Sequence, residues 1–448
     1  MATNLDSTLP STGLTQGARI TILVVAALGW FFGGMQIAIT NVAMRAAALD
    51  LLDRHQAIEL ADYTKYTATT SRSAKQQALL DGWNAAAGKW YAWYQCAFLF
   101  GAAAGGYFFG RLGDRLGRTR ALAISVIWFG AFTGLAYVTQ SPAQLLLARF
   151  LACLGIGGTW PNGVALVSEA WDQIARPVMA SFIGMAGNIG IFAMGTLAAN
   201  VAVTPESWRW VMLVGMAPPI SLGIATWFFV KESPHWQAIT SQVKSSPWEV
   251  FQGGYRWVTL IGIGLATVPL IGGWASANWM IPWAGEVGAE TGDEFLKAKV
   301  IQARSITSIV GSFLAGILAC WLGRRTLYFI ASVGSLVLSQ YVFWFSTPTA
   351  DSFLWLVAVL GLFNGLFFGW LPFFLPELFE TKNRATGAGV SFNFGRILTA
   401  FTLFVTGATL QGVFGGFAEI GRVTSWVFVL GMILIIFTPD TSKETLTD

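Results

Sequence analysis

The apolar residues of this chain gather into runs of about 20, long enough to cross a hydrocarbon layer roughly 30 Å thick, with short polar turns between them. They predict twelve spans, at about residues 19–43, 90–111, 120–139, 142–166, 177–202, 208–230, 257–284, 298–321, 326–346, 351–375, 384–409 and 419–438. Six fall on each side of residues 231–256, KESPHWQAITSQVKSSPWEVFQGGYR, whose polarity and two prolines mark a linker. The pattern predicts an all-α membrane protein: twelve transmembrane helices in two six-helix bundles, 19–230 and 257–438, with tails at 1–18 and 439–448. Residues 44–89 interrupt the rhythm. They mix Asp50, Asp53, Arg54, His55, Glu59, Asp62, Lys65 and Lys75 among alanines, which predicts a partly helical cap outside the membrane. That cap reads either as a solvated insertion or as a lid over the outer mouth.

Composition removes other classes. Charged residues make up 11% and hydrophobics 54%, whereas a soluble domain carries about 25% charged residues. An enzyme is not expected, and neither is an ATP-driven pump, because no GxxxxGK[ST] loop is present. The three cysteines, Cys96, Cys153 and Cys320, show no disulfide or zinc spacing, so neither metal nor cofactor is expected. A net charge of +4 spread over loops gives no argument for nucleic acid. Residues 1–18 lack the basic start and cleavage site of a signal peptide. With the N-terminus cytoplasmic, the tails and loops on that side hold 14 lysines and arginines and the short outside loops 4. This predicts cytoplasmic termini in the cell (inner) membrane.

Two duplications join the halves. GRLGDRLGRTR, from Gly110 to Arg120, returns as GILACWLGRRT, from Gly316 to Thr326, an offset of 206 residues. The copies share Gly110/Gly316, Leu112/Leu318, Leu116/Leu322, Gly117/Gly323 and Arg118/Arg324. SEAWDQIAR places Glu169, Asp172 and Arg176 at spacings repeated by PELFETKNR as Glu377, Glu380 and Arg384, an offset of 208. Acids followed by a base at these spacings meet across a helix end and build an ion-pair cluster able to hold a gate shut. Internal duplication with a central site is the plan of many secondary transporters.

The first glycine turn, Gly-x-Leu-x-Asp-Arg-x-Gly-Arg, resembles the loop between helices 2 and 3 of major facilitator superfamily transporters. ARFLACLGIGG in span 4, KESPHW after span 6 and PDTSKET near the end are similar to its sugar-porter and organic-ion (metabolite symporter) branch. The resemblance implies that Asp114 latches the two bundles by accepting hydrogen bonds from a helix start. Cys320 replaces it in the second copy, which predicts a latch on one side only. The gating set is then Asp114, Arg118, Arg149, Glu169, Asp172, Arg176, Arg324, Glu377, Glu380 and Arg384, with Arg149 part of the span-4 motif.

Inside the spans, Gly29, Gly33, Gln36 and Thr40 share one helix face. The string GWFFGGMQ resembles the start of bacterial carboxylate and sialate symporters, where acids commonly occupy the positions of Gly33 and Gln36. No Asp or Glu lies in the centre of any predicted span and neither histidine lies in one, which argues against proton coupling through a span-1 acid. Coupling to protons, to sodium, or to no ion stays open. Arg149, Arg304 and Arg396 do lie within spans, and a buried arginine needs a partner or a cavity. A substrate carboxylate, sulfonate or phosphate would supply one to Arg304 or Arg396; the alternative is water or helix carbonyls. Asn188 stands at the pseudo-equivalent position to Arg396, beside which lies Asn393. Gln36, Trp160, Asn162, Trp274, Asn278, Trp279, Asn364 and Trp370 complete the candidate substrate-binding set, each equally readable as packing.

These observations predict a monomeric transporter working by alternating access, as a symporter or uniporter. Its partners would be the lipid bilayer and a small hydrophilic solute: an organic anion (sugar acid or carboxylate) or, alternatively, a neutral sugar. A receptor with a transporter fold is the reading from another class, and the short tails predict no signalling domain.

Overall fold

The computed structural model describes residues 14–441, apart from 70, 172–174, 241–247, 275–278, 292, 294–295, 414–415 and 440. Helices follow one another without a strand among the described residues: α1 Gln16–Arg54, α2 Leu60–Ala68, α3 Ala74–Leu116, α4 Arg118–Tyr137, α5 Pro142–Ala170, α6 Arg176–Asn200, α7 Arg209–Phe229 and α8 Pro234–Thr240. The second half holds α9 Tyr255–Trp274, α10 Met280–Thr291, α11 Leu296–Leu322, α12 Arg324–Phe345, α13 Phe353–Glu377, α14 Arg384–Val413, α15 Phe417–Thr424 and α16 Val427–Leu434. Ten helical segments among the described residues are long and apolar enough to cross a membrane. With α3 (43 residues) and α14 (30 residues) they make twelve transmembrane helices in two bundles of six. In the first bundle α3 packs on α5, α4 on α7 and α1 on α6; in the second α11 packs on α13 and α9 on α14.

The duplicated turns are short because of glycine. Gly117 and Gly323 take φ of 105° and 84°, a region closed to most side chains, and each begins the next helix at once. Both turns lie at the same end of the molecule, where α5 and α13 finish and α6 and α14 start. That end is called the turn end below.

Residues 44–89 are helical for most of their length. The alanine-rich stretch after Ala43 lets α1 run on to Arg54, 39 residues in all and about 58 Å at the helical rise. Ser73 and Gln76 form a capping box that starts α3 well before its apolar run. Asp50 accepts from Arg54 (2.9 Å), Arg209 (2.6 Å) and Trp208 Nε1 (3.0 Å). Arg209 also donates to the carbonyls of Tyr137 and Thr139. Tyr66 stacks on Trp83 at 6.0 Å, and Arg45 and Tyr63 both donate to Asn84 Oδ1. The described contacts thus tie the cap to the helices of the first bundle, whose own transmembrane helices it extends.

Candidate functional site

At the turn end the ion pairs form two matching triangles. Glu169, at the end of α5, takes Arg118 of its own bundle at 3.1 Å and Arg384 of the other at 3.0 Å. Glu377, at the end of α13, takes Arg324 of its own bundle at 3.1 Å and Arg176 of the other at 3.6 Å. The first triangle is closed to solvent, and the second is 3–6% exposed at its side chains. Asp114 adds a latch. Its carboxylate accepts from the backbone amides of Ala385 (3.2 Å) and Thr386 (2.9 Å), and from the Thr386 hydroxyl. These amides open α14, where unpaired N–H groups and the helix dipole favour an anion. Arg118 backs the latch, donating to Asp114 Oδ1 at 2.9 Å and to the Thr381 carbonyl. Glu232, in the linker, accepts from the amides of Arg118, Thr119 and Ser233, the start of α4 among them. Burial pushes its carboxyl above the usual carboxylate range.

Crossings continue from this end toward mid-membrane. Pro161 lacks an N–H, which frees the carbonyl of Gly157 within α5. Asn393 Nδ2, from the opposite bundle, takes that carbonyl at 3.2 Å. Asn188 Nδ2 reaches Ser312 Oγ of α11 at 3.0 Å. Asn188 and Arg396 each lie twelve residues into their helix, about 18 Å from the turn end.

The three intramembrane arginines have different surroundings. Arg149 donates to Gln36 Oε1 (2.9 Å) and Thr40 Oγ1 (2.8 Å), while Gln36 Nε2 donates to the Gly215 carbonyl. That set is neutral amide and hydroxyl throughout, locking α1 to α5 and α7. Arg304 donates to the Gly273 carbonyl of α9 at 3.1 Å. Arg396 has no hydrogen bond or ion pair among the described residues: it is 3% exposed and its Nη1 is buried without an acceptor. Its guanidinium carbon lies 5.0 Å from the Phe392 ring centroid, 5.5 Å from Phe98 and 5.9 Å from Trp30. Trp160 stacks on Phe392 at 4.2 Å. Ring faces attract a cation but offer no lone pair to its N–H groups. The result is a charged donor inside an aromatic box built by α1, α3, α5 and α14.

The Major Facilitator Superfamily profile matches residues 82–402. The chain belongs to the Major Facilitator Superfamily. It is similar to the Cis,cis-muconate transport protein of Acinetobacter baylyi, at 27% identity over 76% of this chain and 83% of that one. It is also similar to the Inner membrane metabolite transport protein YhjE of Escherichia coli, at 30% identity over 75% of this chain and 81% of that one. The same fold is seen in the proton:xylose symporter XylE bound to 6-bromo-6-deoxy-D-glucose, with TM-score 0.72, 16% identity, and coverage of 97% of this chain and 98% of that one. Membership in this superfamily makes the chain an integral membrane transporter and not an enzyme.

The remaining candidates of this superfamily member spread over several places. Asn364 is 2% exposed, and neither of its amide atoms has a partner among the described residues. Asn162 Nδ2 donates to the carbonyls of Phe109 and Gly158, pinning α5 to α3. Trp370 donates to the Arg324 carbonyl and packs on Phe374 and Tyr328 near the turn end, apart from the Arg396 box. Trp279 stacks on Phe417. Glu380 pairs with Lys382 at 3.3 Å and, among the described residues, stands apart from the Glu377 triangle. Asp172, Asn278 and the side chain of Trp274 lie outside the described residues. Reasoning from sequence missed Trp30, Phe98 and Phe392 of the box, and Glu232. Trp30 belongs to GWFFGG and Glu232 to KESPHW, so both stood inside strings already marked by resemblance.

Proposed function

We propose that this transporter carries a small organic anion bearing a carboxylate on a flat, conjugated or aromatic body, with Arg396 as its counter-charge. One observation carries the reading: the buried Nη1 of Arg396, without an acceptor among the described residues, beside rings from three helices. A carboxylate would accept from the guanidinium while its body stacks on the box. The name of the muconate relative, a transporter of a conjugated dicarboxylate, supports this. A neutral sugar would leave the Arg396 charge unanswered. The bundle is shut at the turn end, which the lysine and arginine bias assigns to the cytoplasmic side of the inner membrane, so this state is closed to the cytoplasm. The transporter acts as a monomer. Gln36 stands where a proton-carrying acid would face Arg149, and it does not titrate; transport is therefore independent of a proton through that position.

The test is a thermal-shift series on purified protein with cis,cis-muconate, benzoate, gluconate and glucose, since ligands of the folded state raise its stability. The conjugated acids should shift the transition and glucose should not. Arg396→Gln should bind about 100-fold more weakly, the size of losing one member of a buried charge pair, with its ligand-free transition kept. Unchanged shifts in both Arg396→Gln and Arg304→Gln would remove the anion reading. Uptake of labelled acid into proteoliposomes distinguishes transport from mere reception, and an acid pulse driven by substrate would overturn the coupling statement.

A further inference from the structure

The two helix faces that carry Trp30 and Phe98 of the Arg396 box continue past it, away from the turn end, and change from aromatic to polar. On α1, Trp30, Asn41 and Arg45 lie within about 60° of one another around the helix; on α3, Phe98, Tyr91 and Asn84 lie within about 40°. The side chains meet in rungs. Gln95 Nε2 donates to Asn41 Oδ1 at 3.0 Å and to the Tyr91 hydroxyl at 2.8 Å. Farther out, Arg45 donates to Asn84 Oδ1 at 2.8 Å, and the Tyr63 hydroxyl of α2 donates to the same oxygen at 3.0 Å. Arg45 stands about 22 Å along α1 from Trp30.

Asn41 and Arg45 are exposed, while Asn84, Tyr91 and Gln95 are half-buried. Exposed amide and guanidinium groups at the end of an apolar run face water and not lipid. Among the described residues Arg45 has neutral hydrogen-bond partners and no ion pair. The carboxylates of the cap are engaged elsewhere. Asp50 takes Arg54 and Arg209, Asp53 the Leu60 amide, Asp62 the Tyr66 hydroxyl, and Asp81 the Gln77 amide one turn farther out. A fixed positive charge at the mouth of a cleft raises the local concentration of anions.

We propose that Arg45, with Asn41, Gln95 and Tyr91, forms an anion site at the mouth opposite the turn end, which captures the solute carboxylate before it reaches Arg396. The capture role rests on the anionic reading of the solute. It also gives the cap a task, since Asn84 and Tyr63 hold the Arg45 guanidinium in place.

The charge at the mouth is read first, without solute. Full-length protein carrying Asn41→Cys, Cys96→Ser and Cys320→Ser is labelled with an anionic and with a cationic water-soluble methanethiosulfonate. Adding Arg45→Gln should lower the anionic-to-cationic rate ratio about tenfold at low salt, and Arg45→Lys should restore it. The difference should vanish at about 1 M salt, where charges are screened within about 3 Å. Uptake of cis,cis-muconate or benzoate into phosphatidylcholine proteoliposomes is read second. Arg45→Gln should raise KM about fourfold at low salt with kcat kept, as expected for a rim charge, and Arg45→Lys should recover it. A merely structural Arg45 would show neither the salt dependence nor the rescue. No labelling by either reagent, or a ratio unmoved by Arg45→Gln, would overturn the site whatever solute is carried. A lowered ratio with KM unchanged would overturn the capture role. A lowered ratio with no thermal shift from either acid would refute the solute reading and leave the anion site standing.

Discussion

At the seam between α3 and α14, Gly110 lies so close to the Ala385 carbonyl that a Cβ there would come within 2.8 Å of it. At the seam between α11 and α6, Gly316 stands against the Pro177 carbonyl in the same way, at 2.5 Å. The four residues are pairwise equivalent under the duplication, Gly110 with Gly316 and Pro177 with Ala385. The triangles of Glu169 and Glu377 match as well. The seams differ where Asp114 meets the start of α14. In the other seam the aspartate is Cys320, which is exposed, and the helix start offers Pro177, which has no amide hydrogen. The acceptor and one of the two amide donors are both missing from the same seam. Duplication supplied two gates alike in packing and charge, and among the described residues only one of them carries a direct hydrogen-bonded clasp between carboxylate and helix end.

The largest effect is expected at Glu169. Glu169→Gln leaves Arg118 and Arg384 buried with one carboxylate fewer, and uncompensated buried charge costs about 3–5 kcal/mol. Glu377→Gln should cost less, because its partners Arg176 and Arg324 keep some contact with water. Chemical denaturation of the two variants in one detergent checks the order. Equal losses would mean that the difference in burial between the triangles has no energetic weight.

Asp114→Asn comes next. The amide still accepts from α14, but the charge-assisted bonds to Ala385, Thr386 and Arg118 are lost, at about 1.5–3 kcal/mol for a bond to a charged group. Part of that loss falls on the closed turn end and not on the fold. Spin-label distances across the turn end should therefore shift toward longer separations in Asp114→Asn. Cys320→Ser, the counterpart in the other seam, should leave them alone. A comparable shift in both would show that the latch is not one-sided.

The two six-helix halves were legible in the sequence as run lengths, and the duplicated acids and arginines as fixed spacings, but the spacing suggested pairs within one helix end where Glu169 and Glu377 each take an arginine from the opposite bundle. Glu169 and Arg176 stand out because they repeat as Glu377 and Arg384 at an offset of 208, whereas Asp114, which has Cys320 at the repeated position, stood out by its resemblance to the glycine-turn motif. The Arg396 box was not legible in that way. Trp30, Phe98 and Phe392 come from three helices whose rotation about their axes no local pattern specifies, and aromatic residues in an apolar span read as packing. Gln36 shows the same gap: its spacing placed it on a cavity-facing stripe, yet its amide serves Arg149 and the Gly215 carbonyl. The helical extension of α1 to Arg54 was legible only as helix propensity, since the transmembrane length rule says nothing about helix beyond the membrane.

Packing at the two glycines should contribute next. Gly110→Ala and Gly316→Ala each place a methyl group against backbone of the opposite bundle, and overpacking of this kind costs about 1–3 kcal/mol. The contact exists only while the turn end is shut, so each substitution should favour the open turn end. The same spin-label distances measure this. Because Gly316 is the tighter approach, Gly316→Ala should shift the population further. A larger shift from Gly110→Ala would mean that the latch transmits strain which the plain seam absorbs by sliding.

The smallest effect tests why the second seam lacks a clasp. Cys320→Asp alone restores the acceptor, but the helix start then offers the amide of Val178 without that of its proline neighbour, and an exposed aspartate prefers water. No measurable stabilisation of the closed turn end is expected. Adding Pro177→Ala supplies the second donor and recreates the arrangement that Asp114 makes with Ala385 and Thr386. The double variant should then favour the closed end by about 1 kcal/mol, the net value of one added hydrogen bond. Pro177→Ala by itself is the control, since proline early in a helix stabilises through its fixed φ and its removal has its own cost. A gain from Cys320→Asp equal to that of the double variant would show that the carboxylate alone makes the clasp and that the lost amide is incidental. A gain in neither would place the one-sidedness deeper, in how far α6 stands from the second turn.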